Sequence, residues 1–442
     1  MPKTSRKFFK YSLIFFFLAS CGGGGSAPNS IIESSTEFFW QTATPESVGL
    51  TSAKVNAALD YAISDGLFTQ SVIILKEGKI IGEKYRSISE LEKNTITSNH
   101  SAITDTFLDS KVGNITSSSL VTSMSVGKSF TSILFGIAQD KGLLSINSKA
   151  SDYLTEWLQD SRQDITIKNL LDMRSGLNRG CYGVSELDEI GNCVDIPGAS
   201  TIGGGDIARA NNQLTGCINQ TFNHDLHGSY NASASDSYYL YSNCDTMILG
   251  EIFYRATSQN INAFAETNLF SKLDISAEWW KDNSNGGQDN GNYLTYCCID
   301  MTARDFIKFG QLLLNDGLWE NERILSPSYV QQIKDLTTYG LKFWPISSNY
   351  ISSPSPSVSK FIFAIGFDGQ YIGIDFENNI IIARNSLYYP SLDLSPLRKV
   401  VVGFLGTTNF PVTLPTVITT NGETRLNATF NIYNMTNLLY SQ

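Results

Sequence analysis

Two β-rich segments stand near opposite ends of the chain, and together they limit the possible folds more than any other feature. Residues 71–85 read SVIILKEGKIIGEKY and residues 361–386 read FIFAIGFDGQYIGIDFENNIIIARNS. Each is a run of β-branched and aromatic residues broken by turn formers, Glu77-Gly78-Lys79 in the first and Glu377-Asn378-Asn379 in the second, so each predicts a hairpin. A hairpin has an apolar face to cover, and helical periodicity supplies the cover. TSAKVNAALDYAISDG (residues 51–66) predicts a helix capped by Thr51 or Ser52 with Val55, Leu59 and Ala62 buried. MTARDFIKFGQLLLNDG (residues 301–317) predicts another, capped by Thr302, with Phe306, Phe309, Leu312 and Leu313 facing inward. The simplest assembly is of the α/β class. Both hairpins join one antiparallel sheet, flanked by the first helix and a late one around LSPLRKVVVGFL (residues 394–405), and the intervening residues form a second, mostly helical lobe.

Candidate chemistry sits in SVGKSFTSILFGIAQDKG (residues 125–142), where Phe130, Ile133, Leu134, Ile137 and Ala138 fall on apolar rows and Lys141-Gly142 closes the helix. Ser125 therefore lies at a helix N-terminus with Lys128 one turn deeper on the same face. An ammonium among apolar neighbours loses hydration, so its pKa falls and a neutral amine becomes available to take the serine proton. The same letters, Gly127-Lys128-Ser129, end a phosphate-binding loop. That pattern needs a glycine where Thr122 stands and a buried strand where the polar VGNITSSSLVTSM stands. GGGDIA (residues 203–208) fits a dinucleotide fingerprint but lacks an apolar strand leading into it and reads as a loop at the site entrance. In SYYLYSNCDTMILGEIF (residues 237–253), Asn243 fits a helix cap. Alternatively, Tyr241 relays protons and Asn243 orients a carbonyl.

The first residues, MPKTSRKFFKYSLIFFFLASC, put Lys3, Arg6, Lys7 and Lys10 before a short apolar run, which reads as an export signal rather than a membrane span. GGGGSAPNS (residues 22–30) has nothing to bury and reads as a tether. The expected division is a signal over residues 1–20, a tether over 21–35, a folded domain over 36–405 that carries the candidate chemistry, and a Thr- and Asn-rich extension over 406–442 with no assigned place. A formal net charge of −10, more acidic still without the signal, argues against a nucleic-acid partner. Three histidines leave little for a metal site or a His-based triad, and His224 and His227 read as part of a polar loop. Beyond Cys21, the even set Cys181, Cys193, Cys217, Cys244, Cys297 and Cys298 predicts disulfides in an exported chain. Cys181 with Cys193 and Cys217 with Cys244 are the favoured pairs, and adjacent Cys297 and Cys298 stay unassigned.

Ser125-x-x-Lys128 followed by Tyr241-x-Asn243 resembles the first two motifs of the penicillin-recognising serine hydrolases, most closely the branch of class C β-lactamases, related esterases and 6-aminohexanoate-dimer hydrolase. ITIKNLLDMRSGL (residues 165–177) resembles the helix and turn after that branch's catalytic helix, and residues 301–317 resemble its late helix. The resemblance implies a β-lactamase/transpeptidase-like fold, an acyl-enzyme on Ser125 with Lys128 and Tyr241 as acid and base, and no cofactor. The third motif departs from the family, because Ala364-Ile365-Gly366 stands where a lysine or histidine precedes the glycine. An ester or small amide substrate is therefore expected in preference to a β-lactam or D-alanyl peptide. Asn243 is expected to place the acyl group, and Gly366 to admit an oxyanion hole from the Ser125 and Phe367 N–H groups. The loop from Asn178 to Ser237 is expected to set substrate choice. A non-catalytic envelope lipoprotein binding peptidoglycan or a protein is the alternative. The end of the signal resembles a bacterial lipobox, which implies lipidation of Cys21, and Gly22 after it implies the outer membrane facing the periplasm, or the cell surface. Contact with membrane is expected only through this anchor.

Overall fold

The computed structural model describes residues 38–99, 104–177, 212–222, 239–282, 284, 291–347, 360–366, 369–387, 417–418, 424–425 and 430–440. Cys21 and the tether, the Cys181 and Cys193 pair, the three histidines, GGGDIA, Phe367 and the helix expected at 394–405 lie outside the described residues, as does most of the loop from Asn178 to Ser237.

Along the chain, α1 (Ser52–Ala62) precedes β1 (Thr69–Lys76) and β2 (Lys79–Tyr85), and α2 (Glu90–Asn99) and α3 (Asp105–Val112) follow. Next come β3 (Leu120–Thr122), α4 (Val126–Asp140), α5 (Ile167–Leu171), α6 (Gln213–Ile218), α7 (Asn243–Thr257) and α8 (Ile261–Ala265). The chain continues through β4 (Glu278–Trp279), β5 (Ile299–Thr302), α9 (Ala303–Leu314), β6 (Leu318–Trp319), β7 (Glu322–Arg323) and α10 (Pro327–Lys334). It finishes its main sheet with β8 (Trp344–Ser347), β9 (Lys360–Gly366), β10 (Gln370–Asp375) and β11 (Ile380–Ser386), before α11 (Ile432–Tyr440).

Both hairpins enter one six-stranded sheet of order β2-β1-β11-β10-β9-β8 with antiparallel neighbours throughout. The two β-rich segments, distant in sequence, are joined at β1 and β11, where Ile73 faces Ala383 and Ile74 faces Ile382. Glu77 (φ 52°) and Gly78 (φ 73°) form the first turn, and two successive positive φ values give the tight loop whose twist matches the strands. The later β segment holds three strands rather than two. Gly369 (φ 82°) turns the chain between β9 and β10, with its N–H donated to the Gly366 carbonyl.

Side chains alternate between the faces of the sheet. On the inner face Ile73, Leu75, Ile362, Ala364, Ile372 and Ile381 pack against α4 and α9, and the same cluster runs on through α5, α7 and α8, so the helical lobe and the sheet share one core. On the outer face Val72, Ile74, Phe361, Phe363, Ile380 and Ile382 meet Val55, Ala58, Leu59 and Ala62 of α1. The cover beside α1 comes from the segment the sequence left unplaced: Ile432, Met435 and Leu439 of α11 join this outer cluster. Thr51 caps α1 and Thr302 caps α9 through their side chains, each accepting the N–H three residues on.

Candidate active site

Three elements converge at the N-terminus of α4. The short strand β3 pairs with β5, and the chain then turns through Met124, whose φ of 44° puts a bulky residue in the left-handed region. A conformation of this kind costs about 1–3 kcal/mol and persists only where its surroundings hold it. Here they do: the Ser123 N–H donates to the Ile299 carbonyl, and the Ile299 N–H donates to Ser123 Oγ. The turn delivers Ser125 to the N-cap of α4 with φ −67° and ψ −6°, and its hydroxyl makes no capping bond. That hydroxyl is engaged by Lys128 instead.

Lys128 is 1% exposed, and its Nζ donates to Ser125 Oγ at 2.9 Å, Asn243 Oδ1 at 2.7 Å and the Tyr296 carbonyl at 2.9 Å. The ring centres of Tyr241 and Tyr296 stand 4.9 and 5.2 Å from the same nitrogen. Burial drives the Lys128 pKa well below the ordinary lysine value, and the positive charge of Lys342 pushes it the same way. Lys342 is buried as well, donating Nζ to the Leu170 carbonyl at 2.6 Å, while its own carbonyl accepts from Ser129 Oγ. Burial lowers its pKa against the opposing pull of Asp245, which is itself raised by burial.

Tyr241 and Asn243 arrive on the lead-in to α7. Ser242 is the N-cap and Asn243 the first helical residue, so the Asn243 side chain is spent on Lys128 rather than on capping. The adjacent Cys244 is bonded to Cys217 of α6, the second of the expected pairs. Tyr241 stacks on Trp344 of β8 at 6.0 Å between centres, and Tyr339 closes on both rings. Gly366 ends β9 against the turn that carries Ser125, where a side-chain carbon at this position would lie 2.6 Å from the Ser123 carbonyl oxygen. Ala364 buries its methyl in the inner core, so no charge is brought there from the third motif.

The structure thus gathers Ser125, Lys128, Tyr241, Asn243 and Gly366. Sequence reasoning missed the Tyr296 carbonyl, Lys342 and Trp344. A lysine isolated in the apolar run YGLKFWPI was the available signal for Lys342, whereas a backbone acceptor has no residue signature. The unassigned Cys297 and Cys298 form a disulfide with each other, directly after Tyr296.

A profile of the family described as Beta-lactamase matches residues 70–390. Among solved structures, the chain is similar to a protein assigned as a 6-aminohexanoate-dimer hydrolase from Bacillus anthracis, with a TM-score of 0.51 and 16% identity over 72% of this chain and 73% of that one. It is also similar to a novel penicillin-binding protein homolog from Caulobacter crescentus, with a TM-score of 0.53 and 12% identity over 76% and 91% of the two chains. A third, EstCE1, a hydrolase with promiscuous acyltransferase activity, has a TM-score of 0.52 and 13% identity over 80% and 97%. No curated protein sequence matches the chain. Identities this low speak for the fold alone, and the family assignment rests on the profile. Since the matched residues run from β1 to just beyond β11, taking in the sheet and the α4 turn alike, the chain belongs to the beta-lactamase family of serine hydrolases.

Proposed function

We propose that the protein cleaves an ester or small amide through an acyl-enzyme on Ser125, with Lys128 and Tyr241 as acid and base. One observation carries this reading. The three acceptors around Lys128 Nζ are Ser125 Oγ, Asn243 Oδ1 and the Tyr296 carbonyl. A neutral amine has only two N–H groups, so donating them to Asn243 and Tyr296 leaves its lone pair facing the Ser125 hydroxyl.

Ser125 Oγ attacks the substrate carbonyl as its proton passes to Lys128, forming the C–O bond and moving the carbonyl electron pair onto oxygen. The Ser125 N–H stabilises that oxyanion, and the Phe367 N–H is its proposed partner. Collapse expels the alcohol or amine, protonated through Tyr241 and Lys128. Water then loses a proton to the same pair, adds to the acyl carbonyl and releases the acid, restoring the Ser125 hydroxyl. No cofactor enters this scheme. Support for esters and small amides over β-lactams comes from Ala364, which offers no cation for a substrate carboxylate.

Ser125→Ala should abolish hydrolysis of p-nitrophenyl acetate and butyrate and labelling by a fluorophosphonate, with the thermal melt retained. Labelling of the parent at Ser125 is the expected result. A folded parent that resists the probe would favour the binding-protein alternative, and an alanine variant as fast as the parent would overturn the nucleophile assignment.

The signal and Cys21 support an exported, lipid-anchored protein, and the disulfides Cys217–Cys244 and Cys297–Cys298 fit an oxidising compartment. Cys21→Ala should move the protein from the membrane to the soluble fraction on cell fractionation. Persistence in the membrane fraction would argue against the anchor.

A further inference from the structure

The Cys297–Cys298 pair stands against the back of the catalytic turn. Both residues are buried, at 4% and 0% exposure. A bond between adjacent cysteines closes a small ring through the peptide that joins them, so it restricts the backbone on either side far more than a long-range crosslink does. Cys298 has a φ of 68°, a left-handed conformation unusual for a residue with a side chain.

Several neighbours of this ring belong to the site, and the others hold its backbone in place. The peptide unit just before it has its two polar groups fixed: the Cys297 N–H donates to the Leu294 carbonyl at 2.9 Å, and the Tyr296 carbonyl accepts from Lys128 Nζ at 2.9 Å. The Cys297 carbonyl takes the Trp279 indole N–H at 3.1 Å, and the Cys298 N–H reaches the carbonyl of Met124, the residue before the nucleophile, at 3.3 Å. The α4 backbone lies against the ring closely enough that a side-chain carbon on Gly127 would fall 2.9 Å from the Cys297 carbonyl carbon. Met124, Gly127 and Lys128 are therefore all set against one three-residue stretch.

We propose that the Cys297–Cys298 disulfide is a positioning device for the general base: it holds the Tyr296 carbonyl where it takes one Lys128 N–H, so that the amine lone pair is aimed at Ser125. This rests on Lys128 acting as the base. With the bond opened, Tyr296 and Cys297 regain backbone freedom, the carbonyl is no longer confined to its place, and Lys128 can turn its lone pair away from the hydroxyl.

Cys297→Ala/Cys298→Ala, measured beside the parent for fluorophosphonate labelling and p-nitrophenyl acetate turnover, tests the proposal. The labelling rate and kcat should fall about 10- to 100-fold, the scale of a roughly 1 Å misplacement, with KM held within about twofold. A folded double variant with parental kcat would overturn it while leaving Ser125 as nucleophile, whereas a parent that is never labelled would overturn the catalytic assignment itself. Should the variant fail to fold, treating the folded parent with a phosphine supplies two electrons, converting the bond to two thiols, and differential alkylation with mass spectrometry identifies which pair has opened. Activity that falls on opening of Cys297–Cys298 at constant near-UV circular dichroism and returns on reoxidation supports the positioning role. Activity retained with this pair open, or lost only together with the near-UV signal, overturns it.

Discussion

The surroundings of Lys128 pull its charge in two directions. Three oxygen acceptors and two aromatic faces favour an ammonium, whereas complete burial and the neighbouring Lys342 charge favour the amine, and the net shift is downward from 10.5. In the proposed mechanism the amine is the reactive form, so ester hydrolysis should be lost as pH falls through the folded-state Lys128 pKa and level off above it. A kcat/KM profile on p-nitrophenyl butyrate checks this, and activity that rises only near the ordinary lysine value would contradict it. Lys342→Met removes a like charge, which raises the Lys128 pKa, so the acidic limb of the same profile should move to higher pH. At this scale the sequence exposed what is local. Ser125 and Lys128 lie three residues apart on one helix and could be paired from spacing alone. Lys342 and the Tyr296 carbonyl reach the same nitrogen's surroundings through tertiary packing, which no spacing rule encodes.

Among the elements, β9 meets the turn that carries Ser125 with little room to spare. Gly366→Ala sets a methyl 2.6 Å from the Ser123 carbonyl oxygen, so the strand or the turn must give way. An overpacking cost of about 1–3 kcal/mol is expected, together with a fall in kcat, because the displaced backbone carries Ser125. A thermal melt and a turnover assay on one preparation check both, and an alanine variant with parental stability and rate would show that the contact is soft. The helices α1, α4 and α9 were legible from apolar periodicity, joined by the caps Thr51 and Thr302 at α1 and α9 and by the Lys141-Gly142 stop after α4. The β9–β10 turn was not, since the apolar content of FIFAIGFDGQYIGID hid the glycine that breaks it. At α7 two adjacent polar residues competed for one capping position, and only the tertiary partner of Asn243 decides between them.

For the whole molecule, the two hairpins were sufficient to anticipate a single sheet, while the final helix escaped notice among Thr- and Asn-rich residues. Met435 and Leu439 of α11 are fully buried on the outer face, away from the α4 side of the sheet. Leu439→Ala should cost about 2–5 kcal/mol of stability by cavity formation, with kcat at moderate temperature unchanged. Chemical denaturation beside a rate measurement checks this, and a large kcat loss in the folded variant would show that the outer face is coupled to the site. The pairing of β1 with β11 has a consequence for when the enzyme becomes competent. Within the sheet, the strand that sets Gly366 against Ser123 reaches β1 through β10 and β11. Contacts so distant in sequence form late and slowly. A chain still emerging has not yet supplied the strand that backs Ser125, so the site is completed only when synthesis of the sheet is nearly finished.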